Sequence, residues 1–208
     1  LPPRRDSDPE IPYEPPAKPK TYLRRGPVVQ APQSLLMRLF NPVKPPRQIN
    51  CFNCLHSYTT SGEAQSSQCP KCSGYISLLD YDITENWNRN IQTCGDVVVQ
   101  KSGVVSGATI QCHNLTILGE LSGTIDCSGT LAIRSHGQIV GHVRCRSLRI
   151  EKGARVDFSN PVTAESAYIS GQVRGQIFCS GPVTLEKRAR LQGLVRTSSL
   201  IVRRGAKH

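Results

Sequence analysis

Aromatic side chains make up only 5% of these 208 residues, with a single Trp and a single Met. A core built on large rings is therefore excluded, and any interior has to be filled by aliphatic side chains. Long apolar runs are missing too. No stretch approaches the ~18 residues that a spanning helix needs, so none is expected. Acidic residues are scarce: 15 Asp and Glu stand against 26 Lys and Arg, for a net charge of +11. Partners are expected to be anionic, namely nucleic acid, an acidic lipid surface or an acidic protein. The opening, LPPRRDSDPE, has no apolar h-region and reads neither as a signal peptide nor as an anchor. It also lacks an initiator Met, which leaves a preceding segment open. No nucleophile elbow, Walker loop, GxGxxG or HExxH occurs, so no enzyme activity and no small-molecule substrate are expected.

Nine cysteines are present, an odd number that argues against a fully paired secreted framework. The expected compartment is reducing, hence cytoplasmic, and the sequon Asn114-Leu115-Thr116 carries no glycosylation meaning there.

Composition shifts along the chain. Residues 1–48 hold twelve of the fifteen prolines and little to bury, which predicts a disordered, extended basic tail. One island in it, SLLMRLF, places Leu35, Leu36, Met37, Leu39 and Phe40 just ahead of Lys44 and Arg47. Over 34–40 this is a candidate tether, either to an anionic membrane surface, at the inner face of the membrane, or to a protein partner.

Residues 49–82 read as a four-cysteine zinc ribbon. Cys51-x2-Cys54 and Cys69-x2-Cys72 offer four thiolates on two tight knuckles, the donor set of a closed, structural tetrahedral zinc site. Rubredoxin-type iron and disulfides are the other readings of the same residues. Zinc ribbons serve either to hold a fold together or to contact nucleic acid, and both uses stay open. His56, with four better ligands beside it, reads as a surface residue. Residues 83–92 read as a connector.

From residue 93 to 208 the texture changes to Val, Ile and Leu at every second position. Cysteines at 94, 112, 127, 145 and 179 mark a repeat of 15–19 residues, with Ala164 and Thr197 standing in the same place. Apolar pairs follow each: Val97/Val99, Leu115/Ile117, Leu131/Ile133, Leu148/Ile150, Ala167/Ile169, Val183/Leu185 and Leu200/Val202. A third apolar residue comes six later (Val105, Ile139, Val156, Leu191) or four later (Leu121, Val173), and Gly-x-Ile/Val recurs after it. Self-similarity at this period with alternation of two predicts an all-β solenoid of about six to seven coils. Spacing of i, i+2 puts residues on opposite faces of a helix, which excludes the helical reading. Alternating coil lengths break the equal six-residue faces of left-handed hexapeptide folds, and parallel crossovers favour the right hand. The recurring cysteines are expected to pack as small hydrophobes in one inward corner. His113, His136 and His142 fall in adjacent coils, and a zinc-binding trio of them is not expected.

A solenoid ends in unpaired N–H and C=O groups that invite another chain. Leu200 and Val202 in the last coil are the expected self-assembly surface. If Trp87 and Ile91 cap the other end, dimers form in place of filaments. Residues 131–208 carry fourteen Lys/Arg against four Asp/Glu. Arg144, Arg146, Arg149, Lys152, Arg155, Lys187, Arg188 and Arg190 are the candidate anion-binding residues, and a solvated face is their plainer reading. No aromatics are interleaved, which disfavours single-stranded nucleic acid.

The phrases LTILGELSGTI, LRIEKGARV and AYISGQVRGQIFCSGPVTLEKRARLQGLV resemble the bactofilin family of polymer-forming cytoskeletal proteins. That resemblance implies a right-handed triangular β-helix over about 93–208, assembly end to end into nucleotide-free filaments, and flexible proline-rich flanks, sometimes with a membrane-targeting stretch. It also implies a chiefly bacterial, cytoplasmic scaffold. The preceding zinc ribbon departs from the minimal family plan. The competing expectation is a nucleic-acid-binding module, in which the ribbon and basic stripes make the contacts and the solenoid is a rigid platform.

Overall fold

Alternation in the sequence becomes alternation in space. In the computed structural model, which describes residues 45–208, every run of in-out residues is a strand and no helix occurs among the described residues. The strands from Tyr81 onward stack in parallel as a β-solenoid of about seven turns. Each turn presents three faces, which meet at corners.

The first face carries the cysteines. Its inward column runs Ile91, Ile110, Ile125, Val143, Val162, Ile177 and Val195, each in register with the next. Two residues on comes a second column of Cys112, Cys127, Cys145, Ala164 and Cys179. The second face stacks the apolar pairs, from Tyr81/Ile83 through Leu131/Ile133 to Leu200/Val202. In-register parallel stacking sets like on like, so that one column is filled by one size of side chain, and Leu115, Leu131 and Leu148 are fully buried on top of one another.

The recurring Gly-x-Ile/Val acquires a cause here. Gly123, Gly141, Gly175 and Gly193 form the corner before the first face and all have positive φ. A Cβ on Gly141 would lie 2.0 Å from the carbonyl oxygen of Gly123, and one on Gly193 2.0 Å from that of Gly175. At Gly141 and Gly193 only glycine leaves room for the neighbouring rung, whereas Ala108 holds the same corner beneath Gly123.

Three sequence expectations need adjustment. Cys94 does not share the cysteine column. Register from Ile91 and Gln92 carries Thr93 opposite Cys112. The Thr93 hydroxyl donates to the Leu79 carbonyl at 2.7 Å and accepts the Gly95 N–H at 2.9 Å, so that this buried hydroxyl is satisfied and Cys94 turns outward. Ile139 is not in the third-face column with Val156. The turn Glu151–Ala154 has no counterpart in its rung, so the third-face strand starts two residues sooner, and Gly137 faces Val156 while Ile139 faces Phe158. The third-face column is thus Trp87, Val105 and Leu121, then a break in the ladder, then Gly137, Val156, Val173 and Leu191. Finally, residues 83–92, expected as a connector, are themselves in the stack. Asn86–Trp87 and Ile91–Gln92 both pair in parallel with Val104–Cys112. Tyr81–Ile83 supplies the second face of that first rung.

Ahead of the stack stand two antiparallel hairpins, Arg47–Asn50 with Ser57–Thr60 and Ser66–Gln68 with Tyr75–Ser77. Ile49, Cys51, Cys69, Ile76 and Leu78 make their small core, and Cys94 packs against it. The Cys94 N–H donates to the Ser77 carbonyl at 2.8 Å, and the Cys94 thiol donates to the Asn50 carbonyl at 3.6 Å. Hairpins and stack are joined by these bonds.

Candidate assembly surface and metal centre

The two ends of the stack differ. At the first rung, Tyr81 and Trp87 meet edge to face with centroids 6.1 Å apart, and both pack on the core. The Trp87 indole N–H donates to the Arg89 carbonyl, and the Arg89 guanidinium lies 5.6 Å over the ring. Under that cover Ile83 and Ile91 are only 3% and 2% exposed. Among the described residues the last rung has no such cover: its strand Ser199–Val202 pairs on one side with Pro182–Leu185, and no described strand pairs with its other edge. Leu200 and Val202, which sit above the buried Val183 and Leu185, are 40% and 50% exposed. Ile201, at 45%, and Leu194, at 57%, extend the apolar area. The sequence marked Leu200 and Val202 but not the last two. Their signal was simply their place in the final coil.

The four ribbon cysteines converge. Their Sγ atoms all lie within 4.8 Å of one another, with Cys51 to Cys72 at 3.5 Å and Cys54 to Cys69 at 3.6 Å. A tetrahedron with arms of about 2.3 Å has edges of about 3.8 Å, so the spacing fits one metal ion held by four thiolates. Two equivalent knuckles produce it. Cys51 N–H donates to the His56 carbonyl and Leu55 N–H to the Cys51 carbonyl, and eighteen residues later Cys69 and Ser73 repeat both bonds onto Gly74 and Cys69. Leu55 and Ser73 share φ of 58° and 57°. A Cβ on Gly74 would meet the Asn53 side chain at 2.8 Å and the Cys72 sulfur at 3.3 Å, so glycine keeps the second knuckle open. The Cys54 backbone N–H draws the Cys51 thiol down to about 7, against the opposing effect of burial. At Cys72 the Gly74 N–H pulls the same way but loses to the crowding of Cys51 and Cys54, which pushes the thiol up to about 12. Four neighbouring thiols cannot all ionise without a cation among them, and that is the condition a metal ion relieves. With four protein ligands the centre has no open position for catalysis. His56 stacks on Tyr58 and is not part of the cluster.

The solenoid cysteines behave differently. Cys112 and Cys127 have Sγ atoms 3.5 Å apart on neighbouring rungs, and that neighbour together with burial pushes the Cys127 thiol well above its usual range. Burial pushes Cys145 up to about 12 and Cys179 up to about 11. Cys127, Cys145 and Cys179 are protonated packing groups rather than ligands or nucleophiles. The histidines serve the ladder: His136 Nδ1 accepts the Arg155 N–H, and His113 Nδ1 lies 3.1 Å from the Ser128 hydroxyl. Among the described residues the four-cysteine group is the one cluster with metal-ligand geometry.

The candidate anion-binding residues separate into two sets. Arg144 makes a two-point contact with Asp126 at 2.7 and 3.1 Å, which holds its guanidinium above the usual range. Arg146 is 3.8 Å from Glu165, and Arg149 is 3.9 Å from Glu151 and stacks over Tyr168. These three lie on the first and second faces, against carboxylates. Lys152, Arg155, Lys187, Arg188 and Arg190 lie elsewhere, along one corner and the third face. The tether candidates Leu35, Leu36, Met37, Leu39 and Phe40 fall outside the described residues.

Comparison with known families gives one finding. A family model for bactofilins, described as polymer-forming cytoskeletal, matches residues 79–160 and 157–208. No match was found among curated proteins or among solved structures. The match begins two residues before Tyr81, where the first rung begins.

Proposed function

This chain belongs to the bactofilin family, a structural, polymer-forming cytoskeletal family, and from that premise we propose that it is a scaffold subunit that assembles end to end through its last rung, without nucleotide. The observation that carries the reading is the contrast between the ends. Aromatic cover keeps the apolar residues of the first rung dry, whereas Leu200 and Val202 stand half open beside a strand edge that is unpaired among the described residues. An uncovered apolar rung with free backbone groups is completed by another rung. The sequence offers no glycine-rich phosphate loop, in keeping with assembly that needs no nucleotide, and the role is structural rather than catalytic.

The four-cysteine centre holds zinc as a structural ion. It fixes two short hairpins whose own core is too small to stand alone, and through Cys94 they are anchored to the stack. The segment Leu35–Phe40 tethers the assembly to a membrane or a partner. The nine free thiols support a reducing, cytoplasmic setting.

Negative-stain microscopy of the purified chain tests this. Elongated particles several rods long are expected in buffer without nucleotide, unchanged by added ATP or GTP. Particles one rod long at every concentration would refute the reading.

A further inference from the structure

Four rungs pass from the second face to the third through a tight turn closed in the same way; in Gln100–Gly103 the third residue, Ser102, lacks positive φ, and the other three share it. Glu151–Ala154, Glu186–Ala189 and Arg203–Ala206 are each closed by the N–H of the fourth residue on the carbonyl of the first, at 3.1, 2.9 and 3.0 Å. Each turn carries a cation at its tip: Lys152, Lys187 with Arg188, and Arg204. Just beyond each tip stands the first outward residue of the third face: Arg155, Arg190 and Lys207, in one column that Gln172 interrupts once. These cations are exposed and have no carboxylate within ion-pair distance among the described residues. The acids of the turns face away, Glu151 to Arg149 and Glu186 to Arg203. The nearby Asp157 is followed in its own column by Arg174.

One position in these turns is out of keeping with the backbone. The third residue has positive φ, and Gly153 and Gly205 occupy it at 91° and 84°. In the middle turn it is Arg188, at 70°. An arginine held where the sister turns have glycine is strained locally, and strain of that kind persists where a side chain has a use. The chain keeps a cation at the tip at the expense of backbone comfort.

We propose that this edge is a docking surface for an anionic lipid bilayer. The cations lie along a straight line parallel to the rod, at multiples of the ~4.8 Å rung spacing. A plane of headgroups meets such a line along its whole length. Duplex DNA does not, because its phosphates wind away around the axis and a straight row touches few of them. No aromatic ring interleaves the row to stack on bases, and no element of suitable shape stands ready for a groove. The cations are long, flexible and free of fixed hydrogen-bond geometry, which suits a fluid layer of charges. The surface lies along the side of the rod, so it does not depend on assembly through the last rung.

The test is co-sedimentation of the full chain with phosphatidylserine–phosphatidylcholine vesicles against phosphatidylcholine alone, at low and high salt, with duplex DNA as a competing ligand. Lys187→Gln/Arg188→Gly/Arg190→Gln is expected to lose on the order of 100-fold in affinity for the anionic vesicles at low salt. Arg144→Gln/Arg146→Gln, which removes cations from the first-face side, is expected to lose less than about 3-fold. Arg188→Gly alone separates function from folding: it should weaken vesicle binding while leaving the melting temperature equal or higher. Equal binding by wild type and the triple variant overturns the proposal. So does retention on DNA with none on vesicles, or a loss in the Arg144/Arg146 variant as large as in the edge variant. Particle length by microscopy is expected to be the same for wild type and edge variants, so that failure here and failure of end-to-end assembly are told apart.

Discussion

Leu200→Asp with Val202→Asp attacks the open rung directly. With exposures of 40% and 50%, and roughly 180 and 155 Å² for the free residues, the pair leaves about 150 Å² of apolar surface open per copy, worth roughly 4 kcal/mol at about 25 cal/mol per Å². Association itself costs at least about 4 kcal/mol in lost freedom, so an end contact of this size has little in reserve. Losing it, and setting carboxylates against a bare strand edge, should weaken association by about 1,000-fold or more. Within the fold the same change is mild, because only the final rung is touched and it has a neighbour on one side. Sedimentation velocity over a concentration series measures the association, and circular dichroism checks that the strand signal is retained. Short particles with an intact β spectrum are expected. A double variant that assembles to wild-type length would refute the assignment of the contact surface, however well folded it is.

Further outcomes follow from the same geometry. Elemental analysis of the purified chain is expected to find one zinc per molecule, and Cys54→Ser or Cys69→Ser to lose it together with protection of the hairpins from protease, with the solenoid spectrum retained. Leu131→Ala, at a fully buried site in the middle of the stack, should lower unfolding free energy by about 2–5 kcal/mol in urea titrations. Gly193→Ala forces a Cβ to within 2.0 Å of the Gly175 carbonyl oxygen at φ 129° and should destabilise by at least about 2 kcal/mol, far more than an exposed Gly→Ala elsewhere. Alkaline pH should also destabilise. The Cys145 and Cys179 thiols sit at about 12 and 11 in the fold but at the ordinary 9.0 when unfolded. Above pH 9 the unfolded chain therefore holds fewer protons, and stability that is fully present below 9 falls as pH rises toward 11 to 12. Urea midpoints at pH 7.5 and 10 measure this, and Cys145→Ala should reduce the difference.

The inward columns of the second face were legible because each rung restates them: Leu115, Leu131 and Leu148 have the same neighbours above and below, so their pattern repeats in sequence as it does in space. Corners are where reading by period loses its footing. Ile139 kept the right period and its place in the core but changed register, since its rung lacks the four-residue turn that the next one has: it pairs with Phe158, and Gly137 pairs with Val156. Thr93 displaced Cys94 from the cysteine column through hydroxyl bonds to backbone that no spacing records. The first rung was hidden because Tyr81 and Trp87 are aromatic where every later rung is aliphatic, and it is those rings that close the end. The four-cysteine cluster was fully readable, because two knuckles of fixed geometry need fixed spacing. The basic edge was only half readable. Composition gave Lys152, Arg155, Lys187, Arg188 and Arg190, but Arg144, Arg146 and Arg149 looked the same in sequence, and only the fold sets them against Asp126, Glu165 and Glu151.

Electron cryomicroscopy of nucleotide-free assemblies bears most directly on the open last rung. The expected image has strand Ser199–Val202 of one copy lying about 4.8 Å from a strand of its neighbour, with Leu200 and Val202 buried between them. Copies that touch elsewhere while that rung faces solvent, or a chain that stays a monodisperse monomer at high concentration, would contradict it.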